Sequence, residues 1–277
     1  MPGDARPIGV FDSGMGGLTV LRALVARLPY ERFVYLGDTA RLPYGTKSAE
    51  TVQAYALQAT RLLVAEGVKM VVIACNTASA VALHPLSEAL SSVPVIGVIE
   101  PGARAGVLAT RNNHIAIIAT EGTVKGGTYA RAIAALRGDI RIVQQPCQVF
   151  VALAEEGWID SPVTLAAADH YLGPLFRIPS PPDTLVLGCT HFPVLAGVIR
   201  QIIGGSVALV DSAETTALAV AEALADSGLA SQARASGLGT TRFFATDSPE
   251  RFARVGEIFL GRPIDVGSVE LVDLRAL

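Results

Sequence analysis

The chain has 277 residues, 51% of them hydrophobic, with 22 basic and 25 acidic side chains and a formal charge of −3. That length favours two domains or one large α/β unit, and a nearly balanced charge with no run of Lys or Arg argues against nucleic acid as the main ligand. Every apolar run stops short of the ~18 residues a membrane span needs, and the opening MPGDARP lacks a signal-peptide pattern, so a soluble, cytoplasmic protein with a small-molecule ligand is expected.

In chain order, short apolar runs stand at 8–11 (IGVF), 33–37 (FVYLG), 70–74 (MVVIA), 93–99 (VPVIGVI), 115–119 (IAIIA), 184–188 (TLVLG) and 207–211 (VALVD). None alternates with polar residues, which is the pattern of parallel strands buried on both faces. Ala- and Leu-rich stretches with helical spacing lie at 17–28, 49–66, 78–90, 128–137 and 213–227. Strand then helix, repeated, predicts an α/β fold with mostly parallel sheets flanked by helices.

Three landmarks occur twice in the same order. IGVFDSG (8–14) resembles IAIIATEG (115–122), VVIACNTAS (71–79) resembles LVLGCTHFP (185–193), and VIGVIEPGA (95–103) resembles VALVDSAET (207–215). Three matches in sequence predict a duplicated α/β unit. Two pseudo-symmetric domains are therefore expected, one from residues 1–100 plus 212–277 and the other from 101–211, with the site between them. The strand-like SVELVDL near the end is expected to pack back on the first domain.

The three cysteines, an odd number in a reducing compartment, are expected to be free thiols. Cys75 and Cys189 directly follow predicted strands and are followed by polar residues (Asn76, Thr77; Thr190, His191), whereas Cys147 in QQPCQVF has no such partner and is read as structural. In open α/β sheets, ligands bind beyond the strand carboxyl ends. Two thiols meeting there across one cleft suit a reaction that inverts a carbon: one removes a weakly acidic proton while the other delivers a proton to the opposite face. A lone buried cysteine is more often a small hydrophobe; the paired placement favours chemistry.

The stretches GVFDSGMGGLTVL (9–21), YLGDTARLPYGTKS (35–48), VIACNTASA (72–80), GVIEPGA (97–103) and LGCTHFPVL (187–195) together resemble the glutamate racemases of the aspartate/glutamate racemase superfamily. The resemblance runs through nearly the whole chain from residue 8. It implies cofactor-independent interconversion of L- and D-glutamate, with Cys75 and Cys189 as the acid/base pair, Asp12 assisting Cys75, and His191 and Glu155 assisting Cys189. It further implies substrate contacts from Ser13, Pro43, Tyr44, Gly45, Asn76, Thr77, Thr120, Thr123 and Thr190, with Asp12 near the ammonium group. A bacterial source, a role in peptidoglycan synthesis and cell shape, and a homodimer follow from the same resemblance. So does activator-independent activity, since only seven residues precede the first strand.

Each assignment has a plainer rival. Asp12 could cap the helix predicted from Gly17, the acids of LAEEGW could be a solvated face, and the choice of Glu155 over Glu156 rests on the family pattern in CQVFVALAE. Gly126 stands where the family commonly has serine. The GMGG stretch fails the G-x-G-x-x-G nucleotide fingerprint because Thr19 occupies the last position. Pyridoxal phosphate needs a Schiff-base lysine, and Lys47, Lys69 and Lys125 do not follow strands; Cys-x-His matches no common zinc spacing. The expected cofactor is therefore none and the expected metal none. An aspartate- or hydantoin-type racemase, or a non-catalytic binding protein, are the competing readings.

Overall fold

The computed structural model describes residues 4–231 and 238–276, so the first three residues of MPGDARP lie outside it. The chain begins with β1 (Ile8–Asp12), α1 (Leu18–Arg27), β2 (Phe33–Gly37), α2 (Ala49–Ala65), β3 (Met70–Ile73), α3 (Asn76–Ala89) and β4 (Val95–Gly97). After α4 (Ile99–Ala109) come β5 (His114–Ala119), α5 (Glu121–Gly126), α6 (Thr128–Leu136), β6 (Arg141–Pro146), α7 (Val149–Glu155) and α8 (Pro162–Phe176). Then follow β7 (Thr184–Gly188), α9 (Ala196–Ile203), β8 (Ala208–Asp211), α10 (Ser212–Asp226), β9 (Thr241–Ala245), α11 (Pro249–Leu260) and β10 (Val269–Leu271).

The strands form two sheets, one ordered β10-β9-β2-β1-β3-β4 and the other β6-β5-β7-β8. All their pairings are parallel. Without its two C-terminal strands the first sheet reads β2-β1-β3-β4, which matches the second strand for strand. β1 thus corresponds to β5 and β3 to β7, which places Cys75 and Cys189 at equivalent strand ends.

Burial on both faces explains why the strands read as unbroken apolar runs. Side chains alternate across a strand: Ile8 and Val10 join one apolar cluster, while Phe11 joins Val34, Leu36, Val71 and Ile73 in another. The first cluster continues through Leu18, Ala103 and Ala217 to Ile115 and Val186 of the second sheet, so the two halves share one core. Each fully buried Val, Leu, Ile or Phe contributes roughly 1.5–3 kcal/mol, and this common core faces the strand ends of both sheets onto one cleft.

Some elements differ from the sequence expectation. The run 93–99 yields only a three-residue strand, because the Val98 amide donates to Ser79 Oγ at 3.3 Å and α4 begins at Ile99. Pro101 fits there because amides of a helix's first turn have no intrahelical acceptor. Polar β6, RIVQQP, is an edge strand with mostly half-buried residues and carries no apolar signature.

Candidate active site

Cys75, Cys189, Ser13, Pro43, Tyr44, Gly45, Asn76, Thr77, Thr120, Glu155, Thr190 and His191 line a single cleft. Asp12 and Thr123, also expected at the site, stand behind its wall, fully buried at 0% and 1% exposure. Thr123 supports the wall through Thr120 Oγ1 at 3.1 Å, and Thr120 in turn contacts Thr77 Oγ1 of the other half at 2.9 Å. A hydroxyl bridge thus crosses between the two sheet units. Thr19 makes another, donating to the Thr190 carbonyl at 3.0 Å.

Cys75 caps α3. Its sulfur accepts from the Ala78 amide at 3.4 Å, and its thiol donates to Ser13 Oγ at 3.4 Å. Burial first, and the Asp12 carboxylate second, push this thiol up to about 12 against the pull of Ser13 and the Ala78 amide. At neutral pH Cys75 therefore keeps its proton. Asp12 itself is raised by burial, opposed by the charge of His191 and the amides of Gly17, Gly14 and Ser13. Its Oδ2 accepts from Gly14 N at 3.0 Å, and Oδ1 has no hydrogen-bond partner among the described residues. The capping alternative does not apply, because α1 has no side-chain cap.

The Cys189 side is built differently. Its sulfur lies 3.8 Å from His191 Nδ1, and His191 Nε2 meets Glu155 Oε1 at 3.1 Å. Burial alone would lower the imidazole pKa, but the bonds to Cys189 and Glu155 override it and hold His191 up at about 10. Glu155 is lowered despite its burial, by His191 and by Arg251, whose guanidinium donates to Oε2 at 2.8 Å. The neighbouring acid Glu156 is exposed. The imidazolium of His191 therefore faces the Cys189 sulfur while the buried carboxyl of Asp12 lies behind Cys75, so the two thiols of a duplicated framework have different electrostatic surroundings.

The motifs find local reasons. In YLGDTARLPYGTKS, buried Asp38 accepts from the Tyr44 hydroxyl, from Arg41 Nε at 2.7 Å and from Thr246 Oγ1 at 2.9 Å, fixing Tyr44 in the wall. The glycines of GMGG, expected as a tight turn admitting substrate, also clear space for protein: a Cβ on Gly16 would lie 2.4 Å from the His191 ring, and one on Gly17 2.5 Å from Asp12 Cβ. Asn76 Oδ1 accepts from Tyr129 Oη at 2.8 Å, which leaves the buried Nδ2 as an unpaired donor. Gly126 lies off the cleft wall, with ordinary space around it.

Gly14, Leu42, Gln148 and Val151 also line the cleft and were not expected from sequence. Gln148, whose Oε1 is buried with no partner among the described residues, is the second residue of the same CQVFVALAE run that led to Glu155, and that adjacency was the available signal. Among the described residues no three His, Cys, Asp or Glu side chains cluster as a metal site. Lys69 is committed to a buried pair with Glu31, and Lys125 to an exposed pair with Glu121.

Residues 8–220 match the family described as Asp/Glu/Hydantoin racemase. The chain belongs to that family. Among its racemase relatives, the glutamate racemase of Syntrophus aciditrophicus is 49% identical, with 98% of each chain covered. A glutamate racemase isoform of Bacillus anthracis shares the fold at a TM-score of 0.90 and 38% identity, covering 97% of this chain and 98% of its own. The glutamate racemase of Francisella tularensis, solved in complex with D-glutamate, also gives 0.90, at 36% identity, with 99% of this chain and all of that one covered.

Proposed function

We propose that this racemase interconverts L- and D-glutamate by passing the α-proton between Cys75 and Cys189, without a cofactor. The observation that carries the reading is the placement of the two thiols at equivalent ends of β3 and β7, on one cleft and in different electrostatic surroundings. In one direction the Cys189 thiolate, faced by the imidazolium of His191, takes the proton from Cα. The Cys75 thiol then gives its proton to the opposite face of the carbanion. The C–H bond broken on one face is replaced on the other, and thiol and thiolate have exchanged places. The opposite enantiomer runs the steps in reverse.

Substrate carboxylates are held by neutral donors such as Asn76 Nδ2, Ser13 and Thr190, with Pro43, Tyr44, Gly45, Thr77 and Thr120 completing the wall. Donors already fixed by the fold stabilise developing negative charge without reorganising during the reaction. Asp12, behind the wall, acts through Cys75, and Thr123 through Thr120. The domain division follows the two sheets, residues 1–100 with 212–277 and residues 101–211. The D-glutamate product feeds peptidoglycan synthesis in the cytoplasm, and the chain works as a homodimer, which sedimentation of the purified protein checks.

The deciding experiment incubates the protein with L-glutamate in deuterated water, following optical rotation and the α-proton signal together. Loss of rotation with deuterium at Cα supports the reading. Exchange on aspartate but not glutamate would reassign the substrate, and no exchange on either would leave a binding protein.

A further inference from the structure

The duplicated framework accounts for the two cysteines but not for their different surroundings. Among the described residues, β9, α11 and β10 extend the first sheet and have no counterpart in the second. α11 packs beside α1 and β10, yet two of its side chains address the Cys189 side of the cleft, which belongs to the other sheet unit. Phe259 sets its ring edge-on to His191, with centroids 5.0 Å apart. Arg251 reaches Glu155 Oε2 at 2.8 Å while the other carboxylate oxygen holds His191.

We infer that Arg251 is a positioning residue for the proposed reaction: from α11 it fixes the Glu155 carboxylate, and through it the orientation and charge of His191 beside Cys189. This rests on the two-thiol reading. Glu155 has two oxygens and uses one on each partner, so the carboxylate plane is set from both sides of the domain boundary. Without Arg251 the carboxylate could turn about its terminal torsion, which is broad and soft, and the imidazole would lose its orienting acceptor. A guanidinium is charged at every working pH and supplies a directed donor. The Arg251–Glu155 bond also ties the extension of the first unit to α7 of the second. The site on the Cys189 side is therefore complete only when the two units are closed on each other.

The charged and titratable groups facing Glu155 are His191, from the turn after β7, and Arg251, from α11; those facing His191 are Cys189, Glu155 and Asp12. Removing Arg251 leaves Glu155 easier to protonate, which moves the acid limb of the pH–rate profile upward.

Arg251→Met and Arg251→Lys test the assignment in the full chain. Arg251→Met is expected to lower kcat about tenfold, the worth of one hydrogen bond to a charged group, with KM within about threefold and the acid limb raised. Arg251→Lys should recover most of the loss. In a Glu155→Gln background the Met substitution should cost nothing further. Equal loss in that background, or an unchanged kcat and pH profile in Arg251→Met, would overturn the inference. Titration of His191 by 15N NMR without substrate keeps the two readings apart: an altered His191 titration in Arg251→Met supports the link even if wild-type protein exchanges no α-proton. An unaltered titration refutes the link even if the wild type racemises. Arg251 is 41% exposed, so the fold is expected to survive; should Arg251→Met fail to fold, Arg251→Gln, which is polar but carries no charge, is read on the same His191 titration with the same two outcomes.

Discussion

Gly16→Ala puts one methyl group between the two halves of the cleft. The added Cβ would lie 2.4 Å from His191 Cε1 and Nδ1 and 2.6 Å from Thr190 Oγ1. Ordinary contact begins near 3.4 Å, so the ring must retreat by about 1 Å. His191 is pinned between Glu155 and Phe259 and cannot swing aside freely. Overpacking of this kind costs roughly 1–3 kcal/mol of stability. Displacing a catalytic assembly by about 1 Å can cost ~10²-fold in rate. Racemisation followed by circular dichroism, with a urea melt in parallel, measures both. Gly126→Ser is the control: a Cβ there would meet nothing closer than 3.8 Å, so activity should stay within about twofold and stability within about 0.5 kcal/mol. Full activity in Gly16→Ala would refute the claim that His191 must sit where it does.

Cys75→Ser and Cys189→Ser should each lower racemisation by about 10²–10⁴-fold, the usual worth of a general acid or base. The Cys147 sulfur has the Gln145 carbonyl at 3.6 Å as its one hydrogen-bond partner among the described residues, and Cys147→Ser should cost stability but leave the rate near wild type; equal loss in all three would make the cysteines structural. Lys69→Met removes a cation that donates to Glu31 at 2.6 Å, to the Asp4 carbonyl at 2.7 Å and to the Leu229 carbonyl at 2.8 Å. It strands a buried carboxylate, so chemical denaturation should show a loss of about 3–5 kcal/mol, and a smaller loss when Glu31→Gln is added. His191, raised in the fold, contributes stability fully below its unfolded value near 6.5 and loses it as pH rises through about 10. His191→Asn should therefore show a flatter decline in urea midpoint across pH 7–10 than wild type; identical slopes would contradict the charged imidazole.

Much of the fold was legible because its strands are buried on both faces. Runs such as MVVIA and IAIIA have no solvent side to mark with polar residues, so they stand out as unbroken apolar segments, and the paired landmarks placed Cys75 and Cys189 at matching strand ends. β6 escaped because an edge strand keeps polar groups, and its RIVQQP carries no apolar periodicity. The over-long strand at 93–99 failed for another reason: apolar residues continue from β4 into α4, and hydrophobicity alone does not mark where a strand turns into a helix.

The site was legible to the depth of its motifs and no further. Glu155 and Glu156 are adjacent identical acids, and only the pitch of α7 turns the first toward His191 and the second to solvent. Asp12 stands at the end of β1 much as Thr120 stands just past β5, yet no spacing could reveal that it lies behind Cys75 and raises its thiol rather than lining the cleft. Arg251 lies 60 residues beyond His191 in an ordinary amphipathic helix and touches Glu155 only after both sheets are assembled. A duplicated fold supplies two equivalent thiols, whereas the proposed proton transfer between them requires one to hold a proton while the other gives it up. The groups that break the equivalence are Asp12 on one side and the Glu155–His191 pair with Arg251 on the other: Asp12 and His191 stand within the repeated stretches but have no like residue in the other half, and Arg251 comes from the extension of the first sheet. Removing both carboxylates, with Asp12→Asn combined with Glu155→Gln, should therefore slow the two directions by different factors in separately measured kcat values, while the equilibrium is kept through compensating changes in KM; equal slowing in both directions would contradict the asymmetry.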